Sequence, residues 1–400
     1  MTPHTIEFPA PLDVETGIER GAISADLFMP SVAASVPKQS LPLIVYICPY
    51  GEEPHYVYPR EKLNPWLAEQ FGAVVLCVYY HGVARQTRSI EVRLEGLLAR
   101  FNAQHEGAHA HTLEELANEM RTRRVVSLGP DYRRFFIGTL NDGYMNFGLL
   151  PALDCLQAIN LVLRHFEMAD PRQVIVYGSS YGGYVGNLMA KLAPNTLSAV
   201  IDNAGFARIA EADVLSHELL SCEGWQRQFD PLQGLGITVS HRSPWLIGDE
   251  TSTRYFSDSK RLIRSLLPLE HWVPSETHHV MFHSRPDVVA PFEQKRKAAE
   301  VIGQRRKVNF FEITESDLSG GVFKNLDHGM SASLRKLFAL TYQTVWNGQL
   351  PRRRQIDNDF TGARNYCFDC GLDKYIVNFS PDRGVELEIR PTQLTETSGP

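Results

Sequence analysis

The sequence predicts an α/β protein with a mostly parallel, twisted sheet and helices on both of its faces. Three observations favour this class. Leu41–Cys48 and Ala73–Tyr80 are near-continuous apolar runs of strand length, typical of parallel strands that are buried on both faces. Segments with a helical period alternate with these apolar runs, and Leu149–Phe166 is the longest helical segment. Residues 173–191 have the pattern of a strand, a sharp turn and a helix.

The remaining elements follow in chain order. Residues up to Lys38 alternate weakly and predict peripheral antiparallel strands. Further core strands are predicted at 174–177, 197–204, 278–283 and 308–313, and further helices at 65–71, 292–303 and from about 331 to 348. Ile90, Leu94, Leu97, Leu98 and Phe101 predict one helical face, and Thr112 to Glu115 resembles a capping box. Residues 374–379 and 385–389 predict a β-hairpin.

The turn after residue 177 carries the chemistry. Gly178-Ser-Ser180-Tyr-Gly182 is a Gly-x-Ser-x-Gly pattern placed between a strand and a helix, which is the context of a nucleophile elbow in the α/β-hydrolase fold. The serine at the centre of such a turn is strained and exposed, and the flanking glycines leave room for the neighbouring strand and helix. Ser180 is therefore the predicted nucleophile, whereas Ser179 occupies the variable position before it.

An acid and a histidine should follow the nucleophile in that order. Asp287 and His328 satisfy the order, and both lie in loops after predicted strands. The histidine would accept the serine proton, and the carboxylate would fix the imidazole tautomer. Asp202 is the rival acid, and Asp327 is discounted because it adjoins His328. His81, His279 and His283 are lesser rivals for the base.

Two backbone N–H groups should form the oxyanion hole. One comes from the residue after the nucleophile, here Tyr181, and the other from the loop after the strand at 41–48. That loop begins Pro49-Tyr50-Gly51. The second donor is accordingly predicted to be Tyr50 or Gly51.

Composition and charge argue against several kinds of binding partner. The chain has 400 residues, of which 43% are hydrophobic, enough for a large core. A net charge of -6 argues against nucleic-acid and anionic-membrane partners. No apolar run approaches the length of a membrane span, and the N-terminus lacks the pattern of a signal peptide. We therefore expect a cytoplasmic protein with no membrane partner.

Cysteine and histidine spacing does not predict a metal site. Cys367 and Cys370 form a single Cys-x-x-Cys pair without a second pair, so we expect two reduced thiols. His105, His109 and His111 match no zinc spacing and are interpreted as a polar connector. No metal and no cofactor are predicted.

These motifs resemble a known family. Gly178 to Gly183, Ser284-Arg-Pro-Asp287 with Pro291, and Leu326-Asp-His328-Gly together resemble the α/β-hydrolase serine hydrolases, nearest the prolyl-oligopeptidase-like branch. The resemblance covers residues from about 40 to 348. The whole chain, including residues 146–154 and 200–203, also resembles an uncharacterised bacterial family of this fold, a domain of unknown function, which implies no substrate.

The expected domain organisation follows. Residues 1–348 are predicted to form an α/β-hydrolase domain with a helical insertion at about 82–147 and a cap insertion at about 206–277. The cap contains Trp225, Trp245 and Trp272. Residues 349–400 are predicted to form a C-terminal β extension packed on the core.

Three functions remain open. The first is a serine hydrolase that cleaves an ester or amide of a small-molecule or acylated substrate through an acyl-enzyme. The resemblance favours an esterase or deacylase over a peptidase, because prolyl oligopeptidases carry a large N-terminal propeller and fewer than 180 residues precede this elbow. The second is acyl transfer with the same triad, and the third is a hydrolase-fold protein that only binds. Substrate identity and oligomeric state are not predicted.

Overall fold

A computed structural model describes residues 1–33, 37–50, 54–82, 90–92, 94–123, 136–138, 146–209, 225–226, 241–242, 245, 250–252 and 255–392. The chain divides into two compact units. The first comprises residues 1–84, 147–209 and 258–400, and the second comprises residues 85–146 and 210–257. Residues 258–277, which were predicted to lie in the cap insertion, belong to the first unit.

An eight-stranded sheet forms the centre of the first unit. Its strands are β1 (His4–Pro9), β2 (Ala22–Phe28), β3 (Leu41–Ile47), β4 (Val74–Val78), β5 (Ala169–Ser179), β6 (Ala199–Asn203), β7 (His278–Ser284) and β8 (Lys307–Ile313). Their order across the sheet is β1-β2-β4-β3-β5-β6-β7-β8. β2 is antiparallel to both of its neighbours, and all other adjacent pairs are parallel.

Helices cover both faces of this sheet. The helices described in the first unit are α1 (Asn64–Phe71), α2 (Leu149–His165), α3 (Tyr181–Leu192), α4 (Asp258–Arg264), α5 (Phe292–Gly303) and α6 (Leu334–Leu340), with shorter helical turns at 58–63, 269–271, 315–320, 328–331 and 341–345. Val176 of β5 lies against Gly186 of α3, whereas the ring of Tyr177 contacts Phe338 of α6. Neighbouring strand residues point to opposite faces, so α3 and α6 lie on different sides. No helix in the described part of the chain is long and apolar enough to cross a bilayer.

The predicted fold class is confirmed. A parallel sheet of this order, with one antiparallel strand near its edge and a strand–turn–helix after β5, is the α/β-hydrolase fold. β1 and β2 are the peripheral antiparallel strands expected from the N-terminal region. β3 to β8 end at one edge of the sheet, where the loops that follow parallel strands bring their side chains together.

The C-terminal extension contains the predicted hairpin and one further strand, which together form a three-stranded antiparallel sheet. Its strands are β9 (Arg364–Asp369), β10 (Asp373–Ser380) and β11 (Gly384–Pro391). The predicted hairpin corresponds to β10 and β11. β9 was missed because its sequence, Arg-Asn-Tyr-Cys-Phe-Asp, is bounded by charged residues and lacks an apolar alternation. Cys367 is exposed and Cys370 is buried, and neither forms a disulfide.

In the described residues of the second unit, Leu94–Gln104 and Leu113–Thr122 are helices. The predicted capping box is present, because Glu115 N–H donates to Thr112 Oγ1 and the Glu115 carboxylate accepts from Thr112 N–H. Short strand pairs join 90–92 to 136–138 and 225–226 to 241–242. Ile90 thus lies in a strand and not on the predicted helix. About half of the predicted cap insertion lies outside the described residues.

The three tryptophans of the predicted cap lie in different elements. Trp225 lies in the strand pair at 225–226, where only the backbone is described. Trp245 is buried with its ring 6.1 Å from that of Phe256 in the second unit. Trp272 belongs to the first unit, and its ring lies edge-on to His279. Two of the three therefore lie in core contacts of their own units.

Candidate active site

Ser180 lies at the sharp turn between β5 and α3. Its backbone has φ 54° and ψ −122°, a strained conformation for a residue with a side chain. A Cβ on Gly178 would lie 2.3 Å from the Gly182 carbonyl carbon, and one on Gly182 would lie 2.2 Å from the Ile47 carbonyl oxygen. Because real side chains do not approach backbone this closely, both positions require glycine. The tight packing holds the serine at the carboxyl end of β5.

His328 meets this serine from the loop that follows β8. Its Nε2 lies 2.6 Å from Ser180 Oγ, within hydrogen-bonding distance. The loop is attached to β7 through Ser284 Oγ, which donates to the Leu326 carbonyl oxygen at 2.6 Å. Gly329 and Met330 both have positive φ, so the chain turns sharply just after the histidine. The fold therefore brings residues 180 and 328 together.

Asp287 completes the chain of contacts from the loop after β7. Its Oδ2 lies 2.8 Å from His328 Nδ1, and its Oδ1 accepts hydrogen bonds from the N–H groups of Val289 and Ala290 at 2.9 Å each. The carboxylate side chain is buried. Burial raises the pKa of Asp287, but the hydrogen bonds from His328 and Ala290 and the nearby imidazoles of His328 and His283 outweigh it, so the net pKa is lowered.

The donors and acceptors of the three groups fix the imidazole tautomer. An ionised carboxylate only accepts hydrogen bonds, so Nδ1 of His328 must carry a proton. Its Nε2 is then free of a proton in the neutral ring and accepts from the Ser180 hydroxyl. This arrangement can remove the hydroxyl proton as the oxygen attacks an electrophile. It is the Ser-His-Asp geometry of serine hydrolases.

Asp202, the rival acid, has its hydrogen bonds elsewhere. Its side chain is buried at the end of β6, where Oδ2 accepts from Lys295 Nζ and, at 2.6 Å, from Asn187 Nδ2. Its Oδ1 accepts from Gly205 N–H at 2.7 Å. A Cβ on Gly183 would lie only 2.2 Å from this oxygen. Asp202 is thus packed beneath the start of α3 and paired with a lysine.

The rival histidines also bond other groups. His279 is buried and its Nδ1 contacts Asn187 Oδ1 at 2.8 Å, and burial lowers its pKa. His283 is buried with its Nε2 2.7 Å from the Ala290 carbonyl oxygen, and burial lowers its pKa as well. His81 donates its backbone N–H to Asp154. Asp327 is exposed and its side chain caps no backbone group of the following turn.

The predicted oxyanion donors lie on two adjoining segments. Tyr181 is the first residue of α3, where backbone N–H groups have no partner within the helix. The end of β3 packs directly on this turn, as the contact of Gly182 with Ile47 requires. Tyr50 follows that strand end, and its ring lies edge-on to the Tyr181 ring with centroids 6.3 Å apart. Gly51 lies outside the described residues.

Two residues around the site were not predicted. Asn203, the last residue of β6, donates from Nδ2 to Ser179 Oγ at 2.9 Å and to the Gly329 carbonyl oxygen at 3.1 Å. The Phe206 ring lies 5.8 Å from the His328 ring. The only signal in the sequence was the position of Asp202 and Asn203 at the end of a predicted core strand, which indicates the active edge of the sheet but not a contact.

No metal centre is formed by the described residues. Within them, no group of three or more His, Cys, Asp or Glu side chains is arranged to hold a metal ion. In the segment with three histidines, the ring of His105 lies against that of Phe101, at 4.4 Å between centroids.

Comparison with known proteins gives the family. A family model described as "Protein of unknown function (DUF2920)" matches residues 13–389. The chain belongs to this family. No curated protein matches the sequence. Among solved structures, esterase 2 of Thermogutta terrifontis is similar at 13% identity and a TM-score of 0.42, over 88% of this chain and 97% of the esterase. The acylaminoacyl peptidase of Pyrococcus horikoshii is similar at 14% identity and a TM-score of 0.45, over 88% of this chain but only 42% of the peptidase.

Proposed function

We propose that this protein is a serine hydrolase that cleaves a carboxylic ester through an acyl-enzyme on Ser180. The observation that carries the proposal is the continuous path of hydrogen bonds from Ser180 Oγ to His328 Nε2, at 2.6 Å, and from His328 Nδ1 to Asp287 Oδ2, at 2.8 Å. Nucleophile, base and orienting acid at these distances are what acyl transfer to a serine requires.

In the proposed first half-reaction, Ser180 Oγ attacks the ester carbonyl carbon while its proton passes to His328 Nε2. The carbonyl π electrons move onto the oxygen, which becomes the oxyanion of a tetrahedral intermediate. The N–H of Tyr181 and one N–H of the Tyr50–Gly51 segment donate to that oxyanion, and losing one such donor typically costs about 100-fold or more in kcat. The C–O bond to the leaving group then breaks, and the departing alkoxide takes the proton from His328.

Water completes the cycle. It loses a proton to His328 Nε2 as it attacks the acyl carbon, and collapse of the second tetrahedral intermediate releases the carboxylic acid and returns the proton to Ser180 Oγ. Asp287 stays ionised throughout and stabilises the imidazolium formed in each half-reaction. The lowered pKa of its carboxyl group supports this role near neutral pH.

A fluorophosphonate probe and short-chain p-nitrophenyl esters test the proposal. The wild-type protein should form one covalent adduct, and tandem mass spectrometry should place it on Ser180 and not on the adjacent Ser179. Ser180→Ala and His328→Ala should abolish labelling and ester turnover while the circular dichroism spectrum is kept. Ser319→Ala, which removes an exposed hydroxyl that contacts only the Ser316 carbonyl among the described residues, is the matched control and should behave as wild type.

The result also separates the competing functions. A wild-type protein that neither labels nor turns over any ester in a chain-length series would contradict the proposal and favour a binding protein. Product analysis with added alcohols distinguishes hydrolysis from acyl transfer, because the acyl group would then appear on the alcohol instead of in the free acid.

A further inference from the structure

Asn203 connects the segment of the nucleophile to the loop of the base. Its backbone carbonyl oxygen accepts the Ser180 N–H at 2.7 Å. Its side-chain Nδ2 donates to the Gly329 carbonyl oxygen, one residue beyond His328, at 3.1 Å. The same nitrogen donates to Ser179 Oγ at 2.9 Å. One fully buried residue therefore bonds to both segments that must meet for proton transfer.

The contact with Gly329 requires a hydrogen-bond donor at position 203. The Gly329 carbonyl oxygen can only accept, so the side chain at position 203 must present a donor there. Both hydrogens of Nδ2 are used, one toward each segment. The amide Oδ1 has no hydrogen-bond partner among the described residues. The side-chain hydrogen bonds of Asn203 are thus all made to two segments. One is the turn at residues 179–180, and the other is the loop of residues 314–333 that carries His328, here called the base loop.

Both chain neighbours of Asn203 are themselves fixed. Asp202 is held by its ion pair with Lys295 and by the Gly205 N–H. The Ala204 N–H donates to the Phe282 carbonyl oxygen of β7 at 2.8 Å. An anchored backbone on each side leaves the Asn203 side chain little freedom to follow a displaced loop. It can therefore set the position of the groups that it binds.

The base loop is also attached to β7 and to the loop after it. The attachments are the hydrogen bond from Ser284 Oγ to Leu326 and the bond between Asp287 and His328. Gly329 and Met330, which have left-handed backbone conformations, follow directly. The bond from Asn203 to Gly329 attaches the loop to β6, and the Phe206 ring beyond β6 lies 5.8 Å from the His328 ring. Without the Asn203 bond, the loop could pivot about its β7 contacts and move the imidazole away from Ser180.

We propose that Asn203 is a positioning residue that sets the distance between Ser180 Oγ and His328 Nε2. The inference rests on the proposed function of that pair. Misplacing a reacting group by about 1 Å can cost on the order of 100-fold in rate, even when the change is remote from the chemistry. Loss of the Gly329 contact should therefore lower kcat and leave KM nearly unchanged, because Asn203 is placed to act on the proton transfer and not on substrate binding.

If Asn203 only stabilised the fold, its replacement would lower the stability but not the kcat of the folded protein. Three variants distinguish these two roles. Asn203→Leu keeps the approximate size and removes the donor. Asn203→Asp keeps the shape, but its carboxylate presents oxygens to the Gly329 carbonyl. Thr277→Val is the matched control, because Thr277 Oγ1 is buried and donates to the Leu197 carbonyl oxygen at 2.8 Å, at the opposite end of β7 from the site. It removes a buried side-chain to backbone bond without touching the base loop.

We expect both Asn203 variants to lower kcat about 10-fold to 100-fold per mole of folded protein, with KM within about twofold. Fluorophosphonate labelling should slow by a similar factor. Thr277→Val should lower the unfolding midpoint in urea but keep kcat and the labelling rate within about twofold of wild type. Folded protein is quantified from the urea titration, so a loss of stability is not counted as a loss of rate.

Either Asn203 variant decides the outcome if the other does not fold. A folded variant with kcat and labelling within twofold of wild type would overturn the positioning role. A proportional fall of kcat in Thr277→Val would overturn it too, since the effect would then follow stability alone. Failure of the proposed function has a different signature, because the wild-type protein itself would then neither label nor turn over esters.

Discussion

Replacing Asp287 by asparagine tests whether the carboxylate fixes the tautomer of His328. The amide oxygen of the new side chain can still accept from the N–H groups of Val289 and Ala290, so its amide nitrogen is left facing His328 Nδ1 at about the original 2.8 Å. An amide nitrogen donates, and Nδ1 must then lose its proton and accept. The imidazole proton moves to Nε2, which faces the Ser180 hydroxyl and can no longer act as a base.

The size of the effect follows from that tautomer. An Asp-to-Asn change in a Ser-His-Asp triad with intact geometry lowers kcat by about 10⁴-fold, equivalent to about 5 kcal/mol of transition-state stabilisation. We expect a fall of about 10³-fold to 10⁴-fold here, because the two backbone donors keep the side chain in place. The same donors should keep the fold intact, so the thermal midpoint should change little compared with kcat.

Steady-state hydrolysis of p-nitrophenyl butyrate and the rate of fluorophosphonate labelling measure this fall. Asp327→Asn is the matched control. It makes the same chemical change next to His328, but on an exposed side chain that caps no backbone group of the following turn, and it should retain wild-type kcat. An Asp287→Asn protein with kcat within tenfold of wild type would refute the tautomer argument. The acid role would then have to be sought at Asp202.

Two further predictions concern the support of α3. Gly182→Ala should lower the free energy of unfolding by at least about 2 kcal/mol or prevent folding, because its Cβ would lie 2.2 Å from the Ile47 carbonyl oxygen. Gly303→Ala is the control, because its Cβ would meet nothing closer than 3.9 Å. Equal urea midpoints for the two variants would contradict the packing argument. Lys191 is buried, and burial lowers its pKa to about 7. The folded state therefore binds fewer protons than the unfolded state between pH 7 and about 10. The free energy of unfolding of the wild-type protein should rise over this range by up to about 1.4 kcal/mol per pH unit. Lys191→Met should lack this rise, and parallel urea-stability curves for the two proteins from pH 6.5 to 9.5 would contradict it.

The parts of this protein that could be predicted from sequence are those with a local pattern. Apolar runs fixed the core strands to within one or two residues, except at β5, which begins at Ala169 because its first half is polar. The candidate site residues were chosen in the same way, Ser180 from its motif and Asp287 and His328 from their places in loops after core strands. All three residues lie at the same sheet edge because parallel strands present their carboxyl ends together.

Contacts between distant segments could not be predicted in this way. Asp202 and Asp287 both lie where an acid of this fold could be, and only the structure distinguishes them. Lys295 lies on a helix rich in charged residues, where a lysine is normally solvated, yet it is buried against Asp202. The bond from Asn203 to Gly329 joins residues 126 positions apart. No periodicity or spacing encodes such a pair.

The C-terminal extension has a physical role that its sequence does not suggest. Asp359 accepts hydrogen bonds from Asn195 N–H and Thr196 Oγ1, just beyond the end of α3, at 2.8 Å each. Lys191, in the last turn of α3, lies 5.7 Å from the centre of the Phe368 ring. The elbow helix is therefore held at its start by glycine contacts with β3 and at its end by the extension. A strained residue such as Ser180 persists only where its surroundings over-determine its conformation, and these contacts fix both ends of the helix that begins beside it.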